Sequence, residues 1–142
     1  MIKKFALAAV VAIASTAALA DMPSSDAQQH FEAIASGDVA QLMRGYADNA
    51  QFNWVGGPLD GTYTGTDAIR GVWEKFTKVQ GQMKVSIDAV EEAANPKGAS
   101  VTANVMFEGK QPIRVRYILT YRNARIVSET WQIDAKPAKA SY

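Results

Sequence analysis

Apolar residues follow one spacing in the first half of this chain and another in the second. Ser25, with Gln28 three residues on, has the form of a helix-opening capping box. Ala27, Phe31, Ile34 and Ala35 then recur at helical spacing, and Gly37 stops the segment. Asp38 with Gln41 repeats the box before a second stripe of Val39, Leu42, Met43 and Tyr46. Two helices joined at Ser36-Gly37-Asp38 are predicted, ending near Asp48-Asn49. Gln51 to Val55 reads as a short strand closed by Gly56-Gly57-Pro58, and Thr62-Tyr63-Thr64 as a second. A third helix is predicted from a Thr66 cap. Ile69, Val72, Trp73, Phe76 and Val79 share one of its faces, and Glu74, Lys75 and Lys78 the other.

After Gly81 the period falls to two. Met83, Val85, Ile87 and Ala89 alternate with polar residues, and Asn95-Pro96-Lys97-Gly98 forms a turn. Val101, Ala103, Val105 and Phe107 make the next run, up to the Glu108-Gly109-Lys110 turn. Strands over Ile113 to Tyr121 and Ile126 to Ile133 complete a predicted antiparallel meander, so the fold class is α+β. With Asn123 and Ala124 at the centre of the last turn, Ile118 faces Glu129, Arg116 faces Trp131 and Arg114 faces Ile133. One sheet face then carries Arg114, Arg116, Ile118, Thr120, Glu129, Trp131 and Ile133. The other carries Val115, Tyr117, Leu119 and Tyr121, a row too apolar to leave in water, which suits a packed core or a homodimer surface. A slip of one residue in register would exchange the two faces.

The N-terminus adds a compartment. Lys3 and Lys4 precede an apolar run from Phe5 to Ala14, and Ala18-Leu19-Ala20 supplies an A-x-A cleavage pattern. Residues 1–20 are expected to be a cleaved secretory signal, with export to a Gram-negative periplasm or beyond. The run is too short to span a bilayer, which takes about 20 apolar residues. Losing Lys3 and Lys4 from 15 basic residues leaves 13 against 14 acidic ones, a formal charge of −1. That balance offers no field for nucleic acid or an anionic membrane. A mature chain over 21–142 suits one domain, with a loose tail from about Ala135. There is no cysteine, which excludes thiol catalysis, thiolate zinc sites and disulfides. With a single histidine, no metal is expected, and no cofactor.

The order helix, helix, short strands, helix, long strands accompanies several specific segments: His30-Phe31-Glu32-Ala33-Ile34 before Ser36-Gly37-Asp38, Tyr46-Ala47-Asp48-Asn49-Ala50, and Tyr63-Thr64-Gly65-Thr66-Asp67-Ala68-Ile69-Arg70. Together they resemble the nuclear transport factor 2-like superfamily, in its bacterial SnoaL-like and ketosteroid-isomerase-like branch. The resemblance runs from Asp26 to about Asp134. It implies a curved antiparallel sheet wrapped into a cone, closed by three helices, with a pocket on the concave face and a dimer through the convex one. Matched through the Gly37-Asp38 corner, His30 falls where the isomerases have an oxyanion-binding tyrosine. Trp54 falls where they have the aspartate base, and Ile118 near their second oxyanion donor. Indole cannot take a proton, so steroid-isomerase chemistry by the usual residues is excluded.

The resemblance turns the mixed face of the last hairpin toward the pocket. The expected site is walled by Trp54, Trp73 and Trp131 and made polar by His30, Arg114, Arg116 and Glu129. It would hold a small, partly apolar molecule. Either the domain binds that molecule, or Glu129 or His30 serves as general acid/base in an isomerase, cyclase or dehydratase-like reaction. Each residue also has a plainer role: His30 as a satisfied core residue, Arg116–Glu129 as a structural ion pair, the tryptophans as core. No phosphate-loop lysine follows Gly56-Gly57-Pro58, and no serine-nucleophile motif is present.

Overall fold

A computed structural model describes residues 22–135. The expected signal, its cleavage point and nearly all of the expected tail lie outside the described residues. Helix α1 spans Pro23–Ser36 and α2 Val39–Arg44; β1 is Tyr46–Val55, β2 Gly61–Thr64, and α3 Thr66–Gln80. Four long strands follow: β3 Lys84–Asn95, β4 Gly98–Glu108, β5 Pro112–Arg122 and β6 Arg125–Ile133.

The helices follow their stop and start signals with two shifts. Pro23, whose fixed φ suits the first helical position, opens α1 ahead of the expected Ser25 cap. Gly37 closes it in the left-handed conformation at φ 75°, and the amides of Gly37 and Asp38 reach back to Ile34 and Ala33. Asp38 then caps α2, its carboxylate accepting from the Gln41 amide at 3.0 Å. Tyr46 leaves the expected α2 stripe and opens β1, which is ten residues long rather than five.

The strands form one curved, unclosed sheet in the order β2-β1-β6-β5-β4-β3. The β3–β6 meander is antiparallel as expected. The sheet as a whole is mixed, because β1 lies parallel to β6. The helices cover its concave face, over a core that runs from Ala27 on α1 to Trp131 on β6. At one turn the backbone itself demands glycine: a Cβ on Gly98 would sit 2.3 Å from the Tyr121 carbonyl oxygen.

The last hairpin corrects the sequence-based register. Tyr121 pairs with Ile126 and Arg122 with Arg125, as the Asn123-Ala124 turn dictates. Val127 is then an extra residue on β6, and beyond it Thr120 pairs with Ser128, Leu119 with Glu129 and Tyr117 with Trp131. A single bulge residue moves everything after it to the other face. Glu129 and Trp131 therefore point inward beside Val115, Tyr117, Leu119 and Tyr121, all of them buried. Arg114, Arg116 and Ile118 point outward. The apolar row is core, and it cannot be a dimer surface.

Candidate functional site

Glu129 is completely buried in a sheet that is otherwise apolar inside. Three side chains from three other elements converge on it. The His30 Nε2 on α1 lies 2.6 Å from Oε2. The Tyr46 hydroxyl on β1 donates to Oε1, and the Tyr117 hydroxyl on β5 donates to Oε2. The Trp73 indole N–H on α3 donates in turn to the Tyr46 oxygen at 2.8 Å. A lone carboxylate here would carry a desolvation penalty of several kcal/mol. Three donors, one of them backed by a fourth, offset that penalty.

The phenols are held in the donating state. Burial is the main cause that pushes Tyr46 and Tyr117 well above the usual phenol range, and the nearby Glu129 charge adds to it. With both phenols protonated and pointing at the carboxylate, the third contact on Glu129 is the Nε2 of His30. In the tautomer with the proton on Nε2, Nδ1 is the ring's acceptor nitrogen. The arrangement follows the logic of a carboxylate-oriented imidazole: one side of the ring is fixed and the other is left for a proton or a ligand.

His30 also lines a cleft of about 280 Å³ between α1, α2 and the start of β6. Asp26, Gln29, Gln41, Arg44 and Tyr121 share its wall. The Tyr121 hydroxyl is buried and has no hydrogen-bond partner among the described residues. A larger groove of about 580 Å³ separates α1 from β3, but no buried polar side chain lines it. Among the described residues, no group of three or more His, Asp or Glu side chains could hold a metal ion.

The expected site residues divide into three groups. His30 and Glu129, 99 positions apart, are in direct contact. Trp54, Trp73 and Trp131 also meet, but they pack on one another: Trp54 stacks on Trp131 at 4.4 Å, and Phe107 on the other side of Trp131 at 5.2 Å. With Phe52 and Phe76 these rings fill the space in which they were expected to wall a ligand. Arg114 and Arg116 are on the outer sheet face, displaced by the bulge. Arg116 donates to Asn104 at 2.9 Å, so its expected pairing with Glu129 is replaced by the His30 contact. Sequence reasoning missed Tyr46, Tyr117 and Tyr121. Tyrosine at core positions of otherwise aliphatic strands was the available signal, since a buried phenol requires a partner.

A curved sheet closed by three helices, with a polar cluster on its concave side, defines the nuclear transport factor 2-like class. The model of the SnoaL-like domain matches residues 27–129, and the chain belongs to that family. No curated protein matches it in sequence. Among solved structures it is similar to an NTF2-like protein of unknown function from Pseudomonas putida KT2440, with a TM-score of 0.70, 19% identity, and coverage of 87% of this chain and 99% of that one. It is also similar to a putative calcium/calmodulin-dependent protein kinase type II association domain from Thiobacillus denitrificans, with a TM-score of 0.68, 15% identity, and coverage of 80% and 95%. A putative polyketide cyclase from Sinorhizobium meliloti matches at 0.54 and 21% identity, over 79% and 96%. At these identities the likeness shows the fold alone.

Proposed function

We propose that this chain is an exported SnoaL-like domain that binds a small molecule in the α1–α2–β6 cleft, against His30. One observation carries the reading. His30 joins a fully buried carboxylate, held by three side-chain donors, to a cleft whose wall also includes the buried Tyr121. A histidine that served only as core would not need an open cavity beside its ring. Native mass spectrometry of the chain isolated from its own cell envelope tests this. The expected result is a polypeptide beginning at Asp21 with a retained small molecule that His30→Ala loses. A bare polypeptide in both forms would count against binding, and a retained Met1 against export.

The His30–Glu129 pair supports a second, enzymatic reading, in which His30 moves a proton and Glu129 orients it. Activity that survives both His30→Ala and Glu129→Gln would remove this reading. A homodimer through the outer sheet face would bury Ile118, which is 39% exposed; light scattering at micromolar concentration reads the mass.

A further inference from the structure

We propose that the groove between α1 and β3 takes an extended peptide segment, in which lysine or arginine alternates with aliphatic residues, as an added strand on the β3 edge. The site lies apart from the His30 cleft and does not depend on it. The strand order leaves β3 at one edge of the sheet, and among the described residues no backbone segment pairs with its outer side over Lys84–Asp88. Such an edge presents a row of unpaired N–H and C=O groups. Two contacts tie α1 across it. The Ser24 amide donates to the Glu92 carboxylate at 2.7 Å, and the Met83 amide donates to the Ala35 carbonyl at 2.8 Å. From Ser24 to Ala35 the helix rises about 16 Å, the length of about five residues of extended chain. Both ends are tied, and a space of about 580 Å³ lies open between them.

The side chains set what such a segment must carry. Val85 and Ile87 face inward, opposite Phe107 and Val105 of β4, and both keep part of their surface in water. A bulge between Asp88 and Glu91 brings Val90 to the same groove, where it is 45% exposed. With Ala27 and Phe31 of α1 these residues make an apolar lining. An added strand would lay every second side chain on that lining and turn the others to the outer face. The rim decides the charge. Glu32 on α1 and Asp88, Glu91 and Glu92 on β3 are exposed, and Lys84 is the one lysine or arginine on these two elements. Glu32, Asp88 and Glu92 accept hydrogen bonds from uncharged donors, namely the Gln28 side chain and the Ala89 and Ser24 amides. Their charge is left for a cation that the partner brings, which gives specificity and steers encounter. The bulge also bounds the docking. At Ala89, with φ 52°, the backbone leaves the strand conformation and its amide turns to Asp88, so the usable edge is Lys84–Asp88. In strand addition the main-chain bonds supply affinity, and the pockets for alternate side chains supply specificity.

The probe is a blocked pentapeptide of lysines alternating with isoleucine and valine. Titrated into the mature chain at low salt, it should bind saturably and slow hydrogen exchange at alternate amides of Lys84–Asp88, read by NMR. Two analogues test the pairing itself, one N-methylated at the aliphatic residues and one at the lysines. Alternate amides of a strand point to opposite sides, so one analogue should lose about tenfold in affinity and the other should bind like the probe. Glutamate in place of lysine should also cost about tenfold, as should Val90→Lys, a change at an exposed side chain that leaves the melting temperature in place. Equal binding by both N-methylated analogues, or no exchange protection at millimolar probe, would overturn the strand addition. A glutamate peptide that binds as well as the probe would overturn the charge preference. A dimer that Val90→Lys dissociates, with no uptake of probe, would make a second copy the occupant and overturn the proposal.

Discussion

Three tyrosines line the polar side of this core, and replacing each by phenylalanine should give three different stabilities. The substitution removes one oxygen and leaves the ring packing intact, so the difference reports what that oxygen bonds. The Tyr121 hydroxyl bonds nothing among the described residues, and removing a buried unpaired hydroxyl should be neutral or stabilising by up to about 1 kcal/mol. Tyr117 gives one hydrogen bond to the Glu129 carboxylate, and bonds to charged groups contribute about 1.5–3 kcal/mol. Tyr46 gives the same kind of bond and also accepts from Trp73. Its loss leaves the indole N–H buried without an acceptor, at a further cost of about 1–3 kcal/mol. The expected order is Tyr121→Phe, then Tyr117→Phe near 2 kcal/mol, then Tyr46→Phe near 4 kcal/mol, against a domain stability of about 5–15 kcal/mol. Urea unfolding, followed by tryptophan fluorescence, measures this, provided the denaturant slope is unchanged across the series. Equal losses for Tyr46→Phe and Tyr117→Phe would refute the relay through Trp73. A loss above about 1 kcal/mol for Tyr121→Phe would refute the unpaired hydroxyl.

Alkali should unfold the protein by a defined slope. Tyr46, Tyr117 and Tyr121 are raised when folded, while the unfolded phenols ionise near pH 10, so above that pH the folded state holds protons that the unfolded state has lost. Stability should fall by about 1.4 kcal/mol per phenol per pH unit, or about 4 for the three, and their phenolate absorbance should appear only with unfolding. Phenolate signal from all three in a still-folded chain would contradict the burial. Ala124 sits at φ 59° in the last turn, so Ala124→Gly should stabilise by about 1 kcal/mol in thermal or urea melts. Asp38→Ala should cost about 1 kcal/mol through loss of the α2 cap, and a variant as stable as the parent would show that the cap bond carries no net weight.

The legible parts of the fold are those written locally. Gly37 and Asp38 mark the corner between α1 and α2, the Ile69-Val72-Trp73-Phe76 stripe marks α3, and the period-two runs mark the meander. The β1–β6 pairing is not local. Nothing near Gln51 or Ser128 indicates that they lie side by side, and Tyr46 fits a helical stripe as well as it fits the start of a strand. The site was half legible for the same kind of reason. His30 stood out beside the apolar stripe of α1, and Glu129 as the carboxylate on the hairpin face that the resemblance turned toward the pocket. Extending the turn register along β6 without a bulge put Arg114 and Arg116 on the wrong side and dismissed Tyr117 as part of an apolar surface. The tryptophans were placed on the right face, but side-chain volume decides whether rings enclose a space or fill it, and periodicity does not encode volume.

The long separations within the polar cluster carry a consequence for the order of folding. Glu129 meets Tyr46 across 83 positions and His30 across 99, and it sits on the last strand of the sheet. Until β6 docks, two phenols and an imidazole lack their common acceptor, and the facing edges of β1 and β5 lie open between their future neighbours. Pairings at such distance form slowly, because the loop they close must be ordered before it is rewarded. The cluster is therefore complete only once β6 has docked between β1 and β5. A chain shortened before β6 would retain its helices' periodicity and the β3–β5 hairpins, yet have neither a site nor a sealed sheet, and it would be the species most exposed to pairing with other chains.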